Sequence, residues 1–190
     1  MIDYKKYKWF FTKSGKLVVG GKSAESNDTL LNDLKNMRKE LIVMHTKHPG
    51  SPFCVIVAPV NAVSKQDLLE CAIFTGCFSR AWKDGKKSTI VHSFKLSQLS
   101  KDTEMKEGTW SVKGQVKNFT VDLKLAIALQ NGVVRAVPEE SVSDSEIIVF
   151  VIPGKIDKAI EIKSKVNEIK DLNKEQLLSA LPAGGVKFVK

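Results

Sequence analysis

The chain has 190 residues, of which 43% are hydrophobic, and it carries a formal net charge of +9. This hydrophobic share argues against a disordered chain and is enough for the core of one domain with a modest addition. Excess Lys and Arg attract polyanions, of which phosphate backbones are the commonest, and general solubility is the alternative interpretation of the charge.

The positive charge is concentrated in the first part of the chain. Residues 1–118 contain 20 Lys and Arg against 11 Asp and Glu, a difference of +9, whereas residues 119–190 contain 10 of each. A polyanion site is therefore expected before residue 119, and the C-terminal part is expected to have another role.

The N-terminal part predicts a hairpin followed by a helix. Aromatic and β-branched runs at 7–12 and 16–21 flank a short turn that contains glycine, as in two strands joined tightly. Leucines at helical spacing then predict a helix up to about Glu40, with Asn27 or Ser26 as its N-cap.

The next elements alternate between strands and one long helix. Strands are predicted at 40–45, 53–59, 88–95, 109–114, 118–129 and 133–138, and a helix capped by Ser64 at 64–83. The run at 53–59 is continuously apolar, which favours a strand buried on both faces. The polar stretch 97–107 is predicted to be a loop.

The C-terminal part follows an acidic, serine-rich candidate linker at 138–146. A strand at 147–154, helices at 156–169 and 172–181 and a strand at 186–190 are predicted there. The whole pattern predicts an α+β fold: a mixed, largely antiparallel sheet packed by two main helices. Residues 1–139 are predicted to form the nucleic-acid-binding domain, and 140–190 a small α/β extension docked on it.

The sequence contains no pattern typical of a metal, cofactor or catalytic site. Cys54, Cys71 and Cys77 form no CxxC pair and occur in apolar settings, so reduced, buried thiols are expected. His45 and His48 have no third metal ligand nearby in sequence, so no metal site is expected. Without a GxSxG motif or another supported constellation, we expect no catalytic residues, no cofactor and no enzyme activity.

Gly21-Lys22-Ser23 resembles the end of a phosphate-binding Walker A loop. That motif needs a glycine five positions before its second glycine, where this chain has Lys16, and the intervening residues favour a strand. The sequence therefore argues against the nucleotide-binding motif. A helix that begins after these glycines can still accept a phosphate at its N-terminus.

The N-terminus lacks the apolar segment of a signal peptide, and no run is long enough to span a bilayer. We therefore expect a cytoplasmic protein without a membrane partner.

Basic residues mixed with aromatic ones are the combination that holds phosphates and stacks bases. The lysines and arginine with this character are Lys22, Arg80, Lys83, Lys86, Lys87, Lys113 and Lys117. Trp9 is the aromatic candidate, although the alternation of the hairpin also suits a core position. Cations at the end of the second helix also suit simple capping of that helix.

Four segments in order resemble the NFACT-R family: YKWFFTKSGKLVVGGKSAESND (7–28), HTKHPGSPFCVIV (45–57), AIFTGCFSRAWK (72–83) and EGTWSVKGQVKNF (107–119). The resemblance covers roughly residues 4–135 and is that of a stand-alone member. It adds Asn27, His45, Pro49, Gly50 and Ser51 to the expected nucleic-acid contacts. Where many relatives have a second histidine after the Pro-Gly-Ser element, this chain has Pro52-Phe53.

The resemblance implies RNA binding, to tRNA or rRNA, in translation or ribosome-associated quality control, with the ribosome as an expected partner. DNA is an alternative nucleic acid, since some stand-alone relatives are linked to DNA sensing. The other domains of the large relatives have no counterpart in this sequence, so no tRNA recruitment for tailing is expected of it alone. The rival functions are a protein-interaction adaptor that docks on ribosomal or other proteins, and a hydrolase of an RNA-linked substrate.

Overall fold

The structure is a computed structural model that describes residues 2–165, 169 and 172–190. The first part contains, in order, β1 (Lys8–Phe11), β2 (Leu17–Gly20), α1 (Ala24–Asn36), β3 (Ile42–Thr46), β4 (Cys54–Ile56), α2 (Lys65–Cys77), α3 (Arg80–Lys83) and β5 (Ser88–Lys95). The second part contains β6 (Leu99–Ser100), β7 (Ser111–Val112), β8 (Lys117–Asp122), β9 (Leu125–Gln130), β10 (Val133–Val137), β11 (Val149–Asp157), α4 (Lys158–Ser164), α5 (Lys174–Ala180) and β12 (Gly185–Val189).

These strands form a six-stranded sheet in the order β1-β2-β4-β3-β5-β8, a four-stranded sheet in the order β10-β9-β11-β12 and the small pair β6-β7. Every strand pairing among the described residues is antiparallel. The predicted α+β class and the first hairpin are confirmed.

The two long helices lie on opposite faces of the six-stranded sheet. Leu31 of α1 belongs to the same apolar cluster as Val43 and Val55, whereas Phe74 of α2 clusters with Met44. Successive side chains of a strand point to opposite faces, so β1, β2, β3, β4 and β5 each contribute buried side chains to both cores. β4 is buried along its whole length, as its apolar sequence predicts.

Helix α2 is buried nearly all round. Nine of its 13 residues are buried, and its core cluster also contains Ile127 and Val151 of the four-stranded sheet. The cluster therefore joins the six-stranded sheet, α2 and the four-stranded sheet into one core.

The N-cap of α1 differs from the prediction. Ser23, with extended backbone angles, accepts a hydrogen bond from the Ser26 amide, and the Ser26 hydroxyl accepts one from the Ser23 amide. This reciprocal capping starts the helix three residues before Asn27, which lies inside it and is buried. Both predicted N-caps of α1, Asn27 and Ser26, are therefore wrong. The predicted Ser64 cap of α2 is confirmed.

Two predicted elements are divided in the structure. The helix predicted at 64–83 is interrupted at Ser79, whose extended backbone and hydroxyl cap the short helix α3. The strand predicted at 118–129 becomes β8 and β9, which belong to different sheets.

Two further predicted segments differ in detail from the structure. The predicted loop 97–107 contains the short strand β6. The C-terminal helix predicted at 156–169 corresponds to α4, and residues 166–168 lie outside the described residues.

The four-stranded sheet contains strands from both sides of the division predicted at 139–140. Residues 149–151 of β11 pair with residues 125–127 of β9. The predicted division between two units stays a prediction.

Candidate nucleic-acid interface

A cleft of about 610 Å³ runs along one end of the six-stranded sheet. This end carries the last residue of β2, the first of β4 and the last residues of β3. The lining residues fall into four groups: the α1 N-terminus (Gly21, Lys22, Ser23, Ala24, Asn27), the loop after β3 (Thr46, Lys47, Pro49, Gly50, Ser51, Pro52), a covering segment (Glu107, Gly108, Thr109, Trp110, Val112), and Lys8, His45, Phe53, Phe78, His92, Phe94 and Ala183.

The loop between β3 and β4 is held by its own hydrogen bonds. The Ser51 hydroxyl accepts from the Thr46 amide and donates to the Pro52 carbonyl. Gly50 has φ +108° and lies against Arg80, where a Cβ would come within 3.1 Å of the arginine side chain. The backbone angle thus favours glycine there, and an added Cβ would also press on the Arg80 side chain. The loop presents a fixed shape to the cleft, and the Ser51 hydroxyl is already engaged.

Asn27 fastens α1 to the start of β4. Its Oδ1 accepts a hydrogen bond of 3.1 Å from the buried Phe53 amide. Gly21 lies so close that an added Cβ would be 2.1 Å from that oxygen. Asn27 therefore shapes the cleft wall through this hydrogen bond.

The covering segment is fastened to α1 by Asp28. The Asp28 carboxylate accepts hydrogen bonds from the Gly108 amide, the Trp110 indole and the Lys101 ammonium. Burial opposes ionisation of Asp28, but these hydrogen bonds outweigh it and lower its pKa. The carboxylate thus orients Trp110, which is 9% exposed, against the cleft.

His45 lines the cleft, and its ring is held by contacts with neighbouring residues. Its ring lies 4.5 Å from the Phe53 ring, and its Nδ1 is 2.8 Å from the Thr46 carbonyl oxygen. A carbonyl only accepts, so Nδ1 carries the proton and Nε2 keeps a lone pair. Burial lowers the pKa of His45, which keeps the ring neutral near pH 7. His92, its cross-strand neighbour, also lines the cleft.

The charge of the cleft is positive. Among the described residues, Lys8, Lys22 and Lys47 line it and Glu107 is the one carboxylate that does. The ion pairs found in the described part of the chain, Lys6–Asp3, Lys101–Asp28 and Lys124–Glu139, involve none of these lysines. Their charge is therefore open to an anion from outside.

The structure brings together Lys22, Asn27, His45, Pro49, Gly50 and Ser51 of the predicted contacts in this cleft. Arg80 and Lys86 lie beyond Pro49, in a small hollow that Pro49 also lines. The Arg80 amide donates to the Gly50 carbonyl, which joins α3 to the loop. Lys83, Lys87, Lys113 and Lys117 are exposed and line neither cavity.

The expectation for Trp9 needs correction. Trp9 is 3% exposed, and the Arg135 guanidinium lies 4.5 Å from its ring centre. The Trp9 ring packs in the apolar core next to α1, so it has no exposed face on which a base could stack. Sequence reasoning instead missed Lys8, the adjacent residue. The alternation of side chains along β1 could have pointed to Lys8, because residues two positions apart in a strand share a face and Lys8 therefore lies on the same face as the buried Phe10.

The cysteines lie where the sequence predicts. Cys54, Cys71 and Cys77 are free and buried, and burial raises the pKa of the Cys54 thiol to about 12. Within residues 2–165, 169 and 172–190, no group of three or more His, Cys, Asp or Glu is arranged to hold a metal ion. The same residues include no helix long and apolar enough to cross a membrane.

Two curated proteins are similar to this chain in sequence. The archaeal Rqc2 homolog aRqcH of Methanocaldococcus jannaschii is 31% identical over 98% of this chain and 29% of its own length. The ribosome quality control complex subunit NEMF homolog of Drosophila melanogaster is 28% identical over 66% of this chain and 13% of its own length. The chain thus spans less than a third of either relative. The archaeal similarity extends past residue 135, which corrects the predicted limit of the resemblance.

A solved structure shares the fold. The C-terminal part of the fibronectin/fibrinogen-binding protein from Streptococcus suis aligns with a TM-score of 0.55 and 23% identity, over 62% of this chain and 45% of that one. Residues 6–114 match the family described as the NFACT protein RNA binding domain. That range contains every lining residue of the cleft except Ala183. The chain therefore belongs to the NFACT protein RNA binding domain family.

Proposed function

We propose that this chain binds RNA, tRNA or rRNA, through the cleft and its rim, which we define as the basic residues Arg80, Lys83, Lys86 and Lys87. We further propose that it acts in ribosome-associated quality control without catalysing a reaction. The family and the names of the two curated relatives support this proposal. The excess of 20 Lys and Arg over 11 Asp and Glu in residues 1–118 supports it independently.

The observation that carries the proposal is the cleft itself. Three lysines without carboxylate partners among the described residues surround a cavity that also has rings and hydrogen-bonding groups along its walls. Ammonium groups bind phosphates, and the neutral His45 ring can accept a hydrogen bond from a ribose hydroxyl or a base. The 2′-hydroxyl would favour RNA over DNA at such a position.

The first experiment measures affinity for tRNA and for rRNA fragments as salt is raised. Each phosphate contact releases counterions, so the logarithm of affinity should fall by about 0.7 to 0.9 for each contact per logarithmic unit of salt. Fluorescence anisotropy over roughly 50 to 500 mM salt gives this slope. A flat response would contradict electrostatic binding. Competition by tRNA, rRNA and DNA of equal length ranks the nucleic acids.

Charge reversal then locates the interface. Lys22→Glu with Lys47→Glu in the cleft should lower RNA affinity about tenfold or more, and Lys86→Glu with Lys87→Glu tests how far the rim extends. The matched control is Lys163→Glu with Lys174→Glu, two exposed lysines of α4 and α5. Equal losses at all three places would mean that net charge alone drives binding. Tight binding to ribosomal proteins but not to RNA would favour an adaptor.

A further inference from the structure

Lys8 is a cation in a poor environment for a positive charge. It is half-buried at the start of β1, and its ammonium lies 4.7 Å from the centre of the Phe78 ring. None of the ion pairs found among the described residues includes it. Lys8 also lines the cleft, so its ammonium is reachable from solvent.

Among the described residues, no carboxylate forms an ion pair with Lys8 that would compensate for its burial. Burial lowers the pKa of Lys8 to about 8. The interaction with Cys54 acts in the opposite direction and raises it, whereas the positive charges of Lys22, Lys158 and Arg135 lower it further. The Cys54 thiol, with its pKa raised by burial, is neutral near pH 7. A buried ammonium without an anion is costly, and an anion that enters the site would remove part of that cost.

The adjoining wall also favours an anion. The 13-residue helix α1 begins beside the cleft, and its dipole makes the potential at that end positive. The backbone amides of Lys22 and Ser23 already donate to the Ser26 hydroxyl. The ammonium groups of Lys8 and Lys22 are direct donors for an anion at this place.

We infer that Lys8 binds a phosphate group of a nucleic-acid strand within the cleft, opposite the α1 N-terminus. The inference rests on the proposed function, because it assigns one phosphate contact of the bound strand. A half-buried ammonium is reached more readily by an unpaired, flexible strand than by the backbone of a rigid duplex. Single-stranded or looped RNA is thus the class of ligand that fits this contact.

The first test compares the wild-type protein with Lys8→Met, which removes the ammonium group and keeps an unbranched apolar side chain next to Phe78. Binding of a short oligoadenylate should weaken about tenfold or more in the variant, whereas Lys163→Met on α4 should bind like the wild type. Oligonucleotides with a 5′-hydroxyl or a 5′-phosphate distinguish an internal from a terminal phosphate, and loss of affinity with either probe supports the inference. Equal affinity of Lys8→Met and the wild type for both probes overturns it.

A second test uses the wild-type protein and does not depend on the variant's folding. Bound phosphate favours the ammonium form, so NMR titration should show the pKa of Lys8 rising when oligoadenylate is added. Affinity should correspondingly fall as the pH rises through about 8, the pKa of Lys8 in the free protein. An unchanged pKa in the presence of bound oligoadenylate overturns the inference and leaves the proposed function intact. Failure of the wild type to bind any RNA overturns both.

Discussion

At the scale of single residues, His45 is expected to make the free energy of unfolding depend on pH. Its folded pKa is lowered, by burial in the first place, so neutral His45 stabilises the fold above its unfolded pKa. That stabilisation is lost as the pH falls through the folded pKa. The loss in free energy of unfolding between about pH 7.5 and about pH 5 should therefore be larger in the wild type than in His45→Gln.

Urea unfolding at the two pH values measures this difference. The same substitution at the exposed His48 is the control for the loss of one imidazole. An equal pH dependence in His45→Gln and the wild type would mean that the burial of the His45 ring has no energetic consequence.

The residues of the cleft were only partly predictable from the sequence. His45 and the Pro49–Ser51 loop were found through the family resemblance, which carries spatial information that composition lacks. Trp9 and Lys8 are adjacent, and the sequence favoured the aromatic one. Because neighbouring residues of a strand face opposite sides, only the tertiary structure shows that Lys8 faces Phe78 and that Trp9 packs beneath Arg135.

At the scale of elements, the cleft depends on how α1 meets β4. Gly21→Ala would place a Cβ 2.1 Å from the Asn27 oxygen that holds the Phe53 amide. We expect this substitution to cost about 3 kcal/mol of unfolding free energy and to weaken RNA binding, because helix and strand must separate.

Gly15→Ala is the matched control for this prediction. Gly15 has φ +79° but nothing within 4 Å of an added Cβ, so it carries backbone strain without a clash. Its cost should be about 1 kcal/mol, with RNA binding unchanged. If the two variants lose the same free energy of unfolding in chemical denaturation, the Asn27 side chain moves aside for the added Cβ and the prediction is wrong.

Most elements followed from local pattern, and the exceptions have physical reasons. The first hairpin and the Ser64 cap depend on neighbouring residues, so the sequence predicts them well. The division of the run 118–129 into β8 and β9 does not, since both halves have a strand's composition. Their separation depends on tertiary contacts such as the bond from the Leu123 amide to the Lys87 carbonyl.

At the scale of the whole molecule, the four-stranded sheet stabilises β1, an edge strand of the six-stranded sheet. Gln130 exchanges two hydrogen bonds with the backbone of Phe11, at 2.8 and 2.9 Å. Arg135 donates to the Trp9 carbonyl, and burial lowers the pKa of its guanidinium to about 10. These contacts satisfy backbone groups of β1 that an edge strand would otherwise expose. The C-terminal part thus stabilises the hairpin from which Lys8 projects.

The division predicted at residue 139 can be tested directly, because it implies that residues 1–139 fold alone. In the intact chain Leu125, Ala126 and Ile127 are fully buried, and β11 pairs with all three. Removing residues 140–190 would expose these side chains, and each large apolar one contributes about 1.5 to 3 kcal/mol. Since domains are stable by only about 5 to 15 kcal/mol, we expect the shortened chain to lose cooperative unfolding.

Circular dichroism and heteronuclear NMR of residues 1–139 check this expectation. The control is the full chain cut once by a protease at 144–146, an exposed stretch between β10 and β11. The cut chain keeps both halves of the sheet, so it should still unfold in one transition and bind RNA. If residues 1–139 alone unfold cooperatively and bind RNA like the full chain, the division predicted from the sequence is correct and the four-stranded sheet is dispensable for the cleft.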